Sequence, residues 1–277
     1  MFDTIPDLGS AGMQVENLCG DAGFMSRPLR THRAQREAAG LRRLAHIFVQ
    51  SPEHILQQLV EVSMELCDAE SAGITLEEPV SATESQFRWI ATAGRYGPFV
   101  GAVLPRYFSP CGTCLERGEP QLFRVPKAYL DSIGVDAPPV TDGILIPWSV
   151  NGTQGTIWVL AHESYHHFDR EDYRVMRDLS DFAAIAVRHQ DQQSQLMRQA
   201  AAAAAAKIAN SLAHEINNPL QGLIQTVFLA GQDGPEAGVF ARQAMGELRK
   251  LSDLVKQLLS LQKPDPTQSE DRPRRLL

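Results

Sequence analysis

His214-Glu215-Ile216-Asn217-Asn218-Pro219-Leu220 gathers the side chains of this sequence best suited to covalent chemistry. Histidine is the side chain whose unperturbed pKa lies near neutrality, so its free imidazole nitrogen is a usable nucleophile in the cell. A carboxylate beside it, here Glu215, can accept from Nδ1–H, fix the tautomer and leave Nε2 with its lone pair outward. Asn218 follows four residues on, so on a helix its amide stacks over the same surface as the imidazole. Pro219 has no N–H and its ring crowds the carbonyl of Glu215, so a bend is expected there.

The hydrophobic pattern decides which way the histidine faces. Ile208, Leu212, Ile216, Leu220, Leu223 and Val227 recur at spacings of three and four, the mark of an amphipathic helix. At about 100° per residue the six fall within an arc of roughly 120°, and His214 lies roughly 180° from its centre. Asn218 and Gln221 sit about 40° and about 20° from the histidine. The imidazole is therefore expected to point away from the buried seam, toward solvent.

These residues resemble the phosphoacceptor box of sensor histidine kinases, in the dimerisation and histidine-phosphotransfer hairpin. The resemblance runs from about Ala201 to about Gln262 and rests on Leu212 to Leu220. It implies that His214 accepts a phosphoryl group on Nε2, that Glu215 orients and activates the ring, and that Asn218 positions a water or an aspartyl phosphate during dephosphorylation. A response-regulator receiver domain is the implied partner.

The rest of the hairpin is legible from the residues themselves. Gly231-Gln232-Asp233-Gly234-Pro235 is dense in turn formers. Pro235 suits the first turn of a second helix, where a missing N–H costs nothing. Leu248, Leu251, Val255, Leu258 and Leu259 give that helix its own apolar stripe. Two such helices bury too little alone, so a homodimeric four-helix bundle is expected, with an intramolecular packing of the hairpin as the alternative. After Gln262 the sequence turns polar and charged, and it contains no glycine-rich phosphate-cradling loop and no Walker-type Gly-Lys-Ser/Thr. The expectation is a phosphotransfer hairpin served by an external or cognate histidine-kinase ATP-binding domain. A naturally short chain and a fragment of a full kinase both stay open.

Composition bounds the remainder. At 277 residues there is room for one mid-sized domain and a helical module, and the formal charge of −7 argues against nucleic acid as the main partner. No apolar run approaches a membrane span and the N-terminus lacks a signal-peptide core, so a cytoplasmic protein without membrane contact is expected. Cys19, Cys67, Cys111 and Cys114 do not form a disulfide framework. Met1 to Phe24 shows few periodic apolar positions, and Arg27 to Arg43 is a basic stretch that could be helical. From Leu41 onward a helix is expected, interrupted and restarted at Ser51-Pro52.

Between about Pro52 and Gln190 the pattern is that of an α+β domain. Ala72 to Glu77 and Phe87 to Ala93 read as strands. Ile144 to Val150 and Thr156 to Leu160 flank Asn151-Gly152, the strongest short-range hairpin signal. Asp169 is placed to cap a helix carrying Tyr173, Met176, Leu179, Phe182 and Ile185. Strands, a late hairpin and a closing helix predict an antiparallel sheet with helices on one face.

This region resembles a GAF domain over most of Ile55 to His189, on Ser109-Pro110-Cys111-Gly112-Thr113, the Gly143 to Leu160 hairpin and Phe168-Asp169. The resemblance implies a small-molecule pocket whose ligand stays unknown, with Cys111, Trp148 and Trp158 as candidate ligand-binding residues. The bilin-attaching cysteine–histidine pair is absent, because Leu115 follows Cys114. Cys111-x-x-Cys114 could alternatively be a redox pair or, with His162, His166 or His167, a zinc site, although two buried structural cysteines are the plainer outcome.

The domain organisation expected is thus a flexible or helical segment (1–40), a GAF-like sensor (41–190), an Ala-rich helical linker (191–207), the phosphotransfer hairpin (208–262) and a polar tail (263–277). Ala200 to Ala206 contains neither Gly nor Pro, so the closing sensor helix should run on into the histidine helix. The function this adds up to is two-component signal transduction. Alternatives are a kinase fragment, a non-catalytic module that dimerises with a kinase, and a redox enzyme resembling free methionine sulfoxide reductases.

Overall fold

The computed structural model describes residues 12–30, 34–81, 83–107, 109–132, 136–230 and 237–261. It divides into two compact units, the first ending at Gln192 and the second beginning at Gln193.

The first unit is built on one sheet. In chain order its elements are β1 (Gln14–Asn17), α1 (Ala22–Met25), α2 (Ala34–Gln50), α3 (Ile55–Leu66), β2 (Ser71–Pro79), β3 (Ser85–Gly94), β4 (Val103–Pro105), α4 (Pro110–Arg117), β5 (Gln121–Val125), α5 (Lys127–Ser132), β6 (Val140–Val150), β7 (Thr153–Ala161) and the start of α6 (Arg170–Ala230). The seven strands lie in the order β1-β5-β6-β7-β2-β3-β4, and each neighbouring pair is antiparallel. This is the GAF-type α+β arrangement.

Local chemistry explains the punctuation. Pro52 opens a single 3₁₀ turn between α2 and α3, where its missing N–H is harmless. Val150 pairs with Thr153, so Asn151 and Gly152 alone make the turn, both at positive φ (50° and 80°). That is the geometry for which Asn-Gly is selected, and it is tighter than the five-residue connection the sequence suggested. Asp169 caps α6 by accepting from the amides of Glu171 and Asp172 at 2.8 and 3.2 Å.

The sheet separates two apolar clusters. On one face Ile74, Ile144, Ile146, Trp148, Ile157 and Val159 pack with α3 and the first turns of α6. On the other, Phe87, Trp89, Leu145, Trp158 and Leu160 pack with Tyr96, Cys111, Cys114 and Phe123. Alternation from Ile144 onward in β6 and along β7 produces this split.

The N-terminal residues depart from expectation. Residues 12–30 are ordered against the sheet: β1 adds the edge strand beside β5, and Met13, Leu18 and Phe24 are buried. Arg27 donates to Asp142 Oδ2 (2.7 Å), Asp142 Oδ1 (3.1 Å) and the Phe168 carbonyl (2.7 Å). Short-range periodicity could not reveal this, because the β5 partners of β1 and the Asp142 and Phe168 partners of Arg27 lie more than a hundred residues away in the chain. The polar tail and the Gly231-to-Pro235 turn lie outside the described residues, as do residues 1–11.

In the second unit α6 is helical up to Ala230, through Pro219, and α7 (Ala237–Leu261) packs beside it, Gly222 facing the Glu247 side chain. α6 is helical without interruption through Ala200–Ala206. Among the described residues no helix is long and apolar enough to cross a membrane.

Candidate functional site

His214, Glu215 and Asn218 lie on one stretch of α6, and all three side chains are exposed. Ser211 Oγ, one turn earlier, approaches Glu215 Oε1 at 3.5 Å. Pro219 is buried, whereas Leu212, Ile216 and Leu223 of the seam are only half-buried and Ile208, Leu220 and Val227 are exposed. Beneath the histidine turn, Glu215, Asn218, Pro219 and Gly222 of α6 and Glu247, Lys250 and Leu254 of α7 line an open groove of about 350 Å³. Lys250 Nζ is 2.9 Å from Glu247 Oε1 within it. The α7 contribution was not foreseen. It depends on which residues of α7 pack opposite Gly222, which spacing along α6 alone does not give.

The first unit contains a second candidate site. A cavity of about 90 Å³ opens on the face of the sheet opposite α3. Its walls include Trp89 from β3, Tyr96, Cys111 from α4, Phe123 from β5, Leu145 from β6, and Trp158 and Leu160 from β7. Trp89 stacks on Tyr96 (centroids 5.6 Å apart, interplanar 15°) and meets Trp158 edge-on at 5.3 Å. Gly73 lies against the Trp158 indole and has no room for a Cβ. Of the three ligand-binding candidates, Cys111 and Trp158 line this cavity and Trp148 does not. Trp148 belongs to the cluster on the helix face, because it is an odd number of residues from Leu145 on β6 and so points the other way.

Trp89 was missed for a related reason. β2 and β3 shift register between Ile74 and Thr75, which pair with Ala91 and Trp89. This bulge inverts the alternation, so Trp89 faces the cavity while Ala91 and Ala93 face the helices. No local pattern in the sequence announces the extra residue.

Both cysteines of the Cys-x-x-Cys are buried and free. Cys111 Sγ accepts from Thr156 Oγ1 at 3.3 Å, and burial pushes its thiol up to about 11. Cys114 Sγ approaches the Glu119 and Leu145 carbonyls, and burial raises it further. Burial thus disfavours the thiolate, the reactive form, at both. His162 is committed elsewhere: Nδ1 lies 2.7 Å from the Pro139 carbonyl, Nε2 2.7 Å from Ser71 Oγ, and the ring packs on Tyr96. Its desolvation lowers its pKa and favours the neutral ring. Among the described residues no cluster of His, Cys, Asp or Glu is placed to hold a metal ion.

Comparison with known proteins agrees with this division. A GAF domain model matches residues 49–188, and a His Kinase A (phospho-acceptor) domain model matches residues 204–267. Similar solved structures include the GAF domain of a phosphoenolpyruvate-protein phosphotransferase from Coxiella burnetii, 19% identical, covering 59% of this chain and 99% of that one at a TM-score of 0.46. Another is the corresponding Acinetobacter domain, 12% identical, covering 59% and 97% at 0.46. A third is the chromophore-binding domain of Stigmatella aurantiaca phytochrome P1, 15% identical, covering 57% and 61% at 0.42. No curated protein matches the chain. With half its length matched by one family model, the chain belongs to the GAF domain family, and the phosphoacceptor domain that follows makes it a signalling protein of the two-component histidine-kinase type.

Proposed function

We propose that the GAF domain senses a small molecule and that His214 carries a phosphoryl group between a histidine-kinase ATP-binding domain and a response-regulator aspartate. The observation that carries this reading is the exposure of His214 on α6, beside Glu215 and one turn before Asn218. In-line phosphoryl transfer is mostly a matter of positioning, and it needs an accessible nucleophile. Nε2 attacks the γ-phosphorus of ATP held by the kinase domain; the N–P bond forms as the bond to the β-phosphate oxygen breaks, and ADP leaves. A receiver aspartate then attacks the same phosphorus, the N–P bond breaks and the imidazole is regenerated. Glu215 orients the ring by accepting from Nδ1–H, and Asn218 positions a water when the phosphoryl group is hydrolysed. The chain would act as a homodimer in the cytoplasm.

Incubation with radiolabelled ATP and an isolated histidine-kinase catalytic domain tests this. Wild type should take up acid-labile label, His214→Gln should not, and a receiver domain should remove the label from the wild type. Label retained in His214→Gln, or no label with any donor, sinks the reading.

A further inference from the structure

Within the first unit, α2 and α6 leave an apolar face uncovered. They lie side by side and run parallel: Glu37 pairs with Arg174 at 2.7 Å, and further along both helices Phe48 meets Phe182 and His189, with centroids 5.9 and 4.8 Å apart. The core side of α2 is taken by Gly40 and Leu44. Ala34, Ala38, Leu41, Ala45 and Val49 instead recur at spacings of four, three, four and four, within an arc of about 80° on the outer side. All five are exposed, Leu41 by 42% and Val49 by 80%. On α6, Ile185 is 55% exposed and borders the same side. A surface helix that meets only water carries polar residues there.

Charge flanks this face. Arg42 edges the α2 stripe, about 120° around the helix from Phe48 and so on the side away from α6. Asp181 comes one turn before Ile185, within about 3 Å of the level of Arg42 along the paired helices. Both are exposed, and neither has an ion-pair partner among the described residues; Arg42 donates Nε–H to the Ala38 carbonyl of its own helix at 3.2 Å.

We propose that this face packs against the same face of a second copy of the chain, α2 of each lying across from α6 of the other about a twofold axis, with Arg42 beside Asp181 of the second copy. The inference goes beyond the homodimer of the hairpin, because it gives the sensor an interface of its own. A second copy fits better than an unrelated partner because the face complements itself. A twofold interface is isologous, so what one copy offers it must also accept. Here each copy offers an apolar stripe, a cation on the α2 border and an anion on the α6 border. The same α6 then continues without interruption into the histidine helix. With only Leu41, Val49 and Ile185 as large side chains, the face is too small to hold two chains together unaided. The hairpin supplies the effective concentration that closes it.

Interchain crosslinking of the full chain reads this directly. Single cysteines are introduced in a Cys19→Ser background, which leaves only buried thiols, and treated with a short bis-maleimide at about 10 µM. Leu41→Cys and Val49→Cys should crosslink at least about 5-fold faster than Ala39→Cys and Gln50→Cys, exposed positions roughly 120° and 140° from the centre of the stripe. In the Val49→Cys chain, Arg42→Asp or Asp181→Arg should slow the reaction by about 3- to 10-fold. The two together should bring it back to within about 2-fold, because the reversed pair attracts as the original did. Equal rates at all four positions, no crosslink at Val49→Cys, or a double charge reversal no faster than the single ones would overturn the proposal. Light scattering of the same samples separates the two interfaces. A dimer with equal crosslinking rates sinks this face alone, and a monomer sinks the hairpin assembly along with it.

Discussion

Asp142 is fully buried, and its charge is met by Arg27, itself only 7% exposed at the side chain. Asp142 Oδ2 also accepts from Phe168 N–H at 3.0 Å, so the pair ties the N-terminal residues to β6 and to the chain just before α6. Removing one member of such a pair leaves an uncompensated buried charge, which costs about 3–5 kcal/mol. Arg27→Met should therefore lower the melting temperature by about 10 °C in a thermal scan. Adding Asp142→Asn to that variant should recover much of the loss, because the stranded charge disappears. An unchanged melting temperature in Arg27→Met would mean that water reaches Asp142. At this scale the sequence spoke unevenly. His214 and its neighbours were legible because their chemistry is local, whereas Arg27 read only as part of a basic stretch.

At the scale of elements, the β6–β7 hairpin shows where local sequence is sufficient. Gly152 holds φ at 80°, and a Cβ added there would meet nothing within 4 Å. Substitution is thus opposed by backbone conformation alone. Gly152→Val should destabilise by about 1–3 kcal/mol, while Gly152→Asn should cost much less, because asparagine tolerates the left-handed region. Chemical denaturation of the two variants checks the order; equal losses would point to a steric cause instead. Elsewhere tertiary context intervened. The β2–β3 bulge that turns Trp89 toward the cavity is invisible to periodicity, and so is the edge strand β1, whose four residues pair with β5. The seam of α6 is half-buried or exposed in the single chain, and the apolar residues extend beyond it. Ile224 and Phe228, each 70% exposed, lie about 100° and about 140° from its centre, so the apolar surface spans more of the helix than one neighbour could cover.

For the whole molecule, that surface bears on assembly. Ile224, Val227 and Phe228 of α6 and Met245 and Leu248 of α7 are all roughly half or more exposed in the single chain. A hairpin with apolar residues on this much of its surface is what a four-helix bundle of two chains would bury. Light scattering at about 10 µM should report a dimer, and Ile224→Glu combined with Phe228→Glu should shift it to monomer by placing charges in the shared core. A monomeric wild type would contradict the assembly, and with it the expectation that His214 works within a bundle.

The sequence by itself determined whatever depends on near neighbours along the chain. The histidine box, the Asn-Gly turn, the Asp169 cap, the unbroken helix through the alanines and the alternating strands each follow from residues within one or two turns of one another, where propensity and spacing act directly. Only the tertiary structure decided which side chains meet across the sheet. The choice of Trp158 over Trp148 for the cavity, the burial that disfavours the thiolate at Cys111 and Cys114, and the pairing of Arg27 with Asp142 all depend on strand register and long-range packing. A single residue of slip or bulge reverses a side chain's face without changing the composition around it.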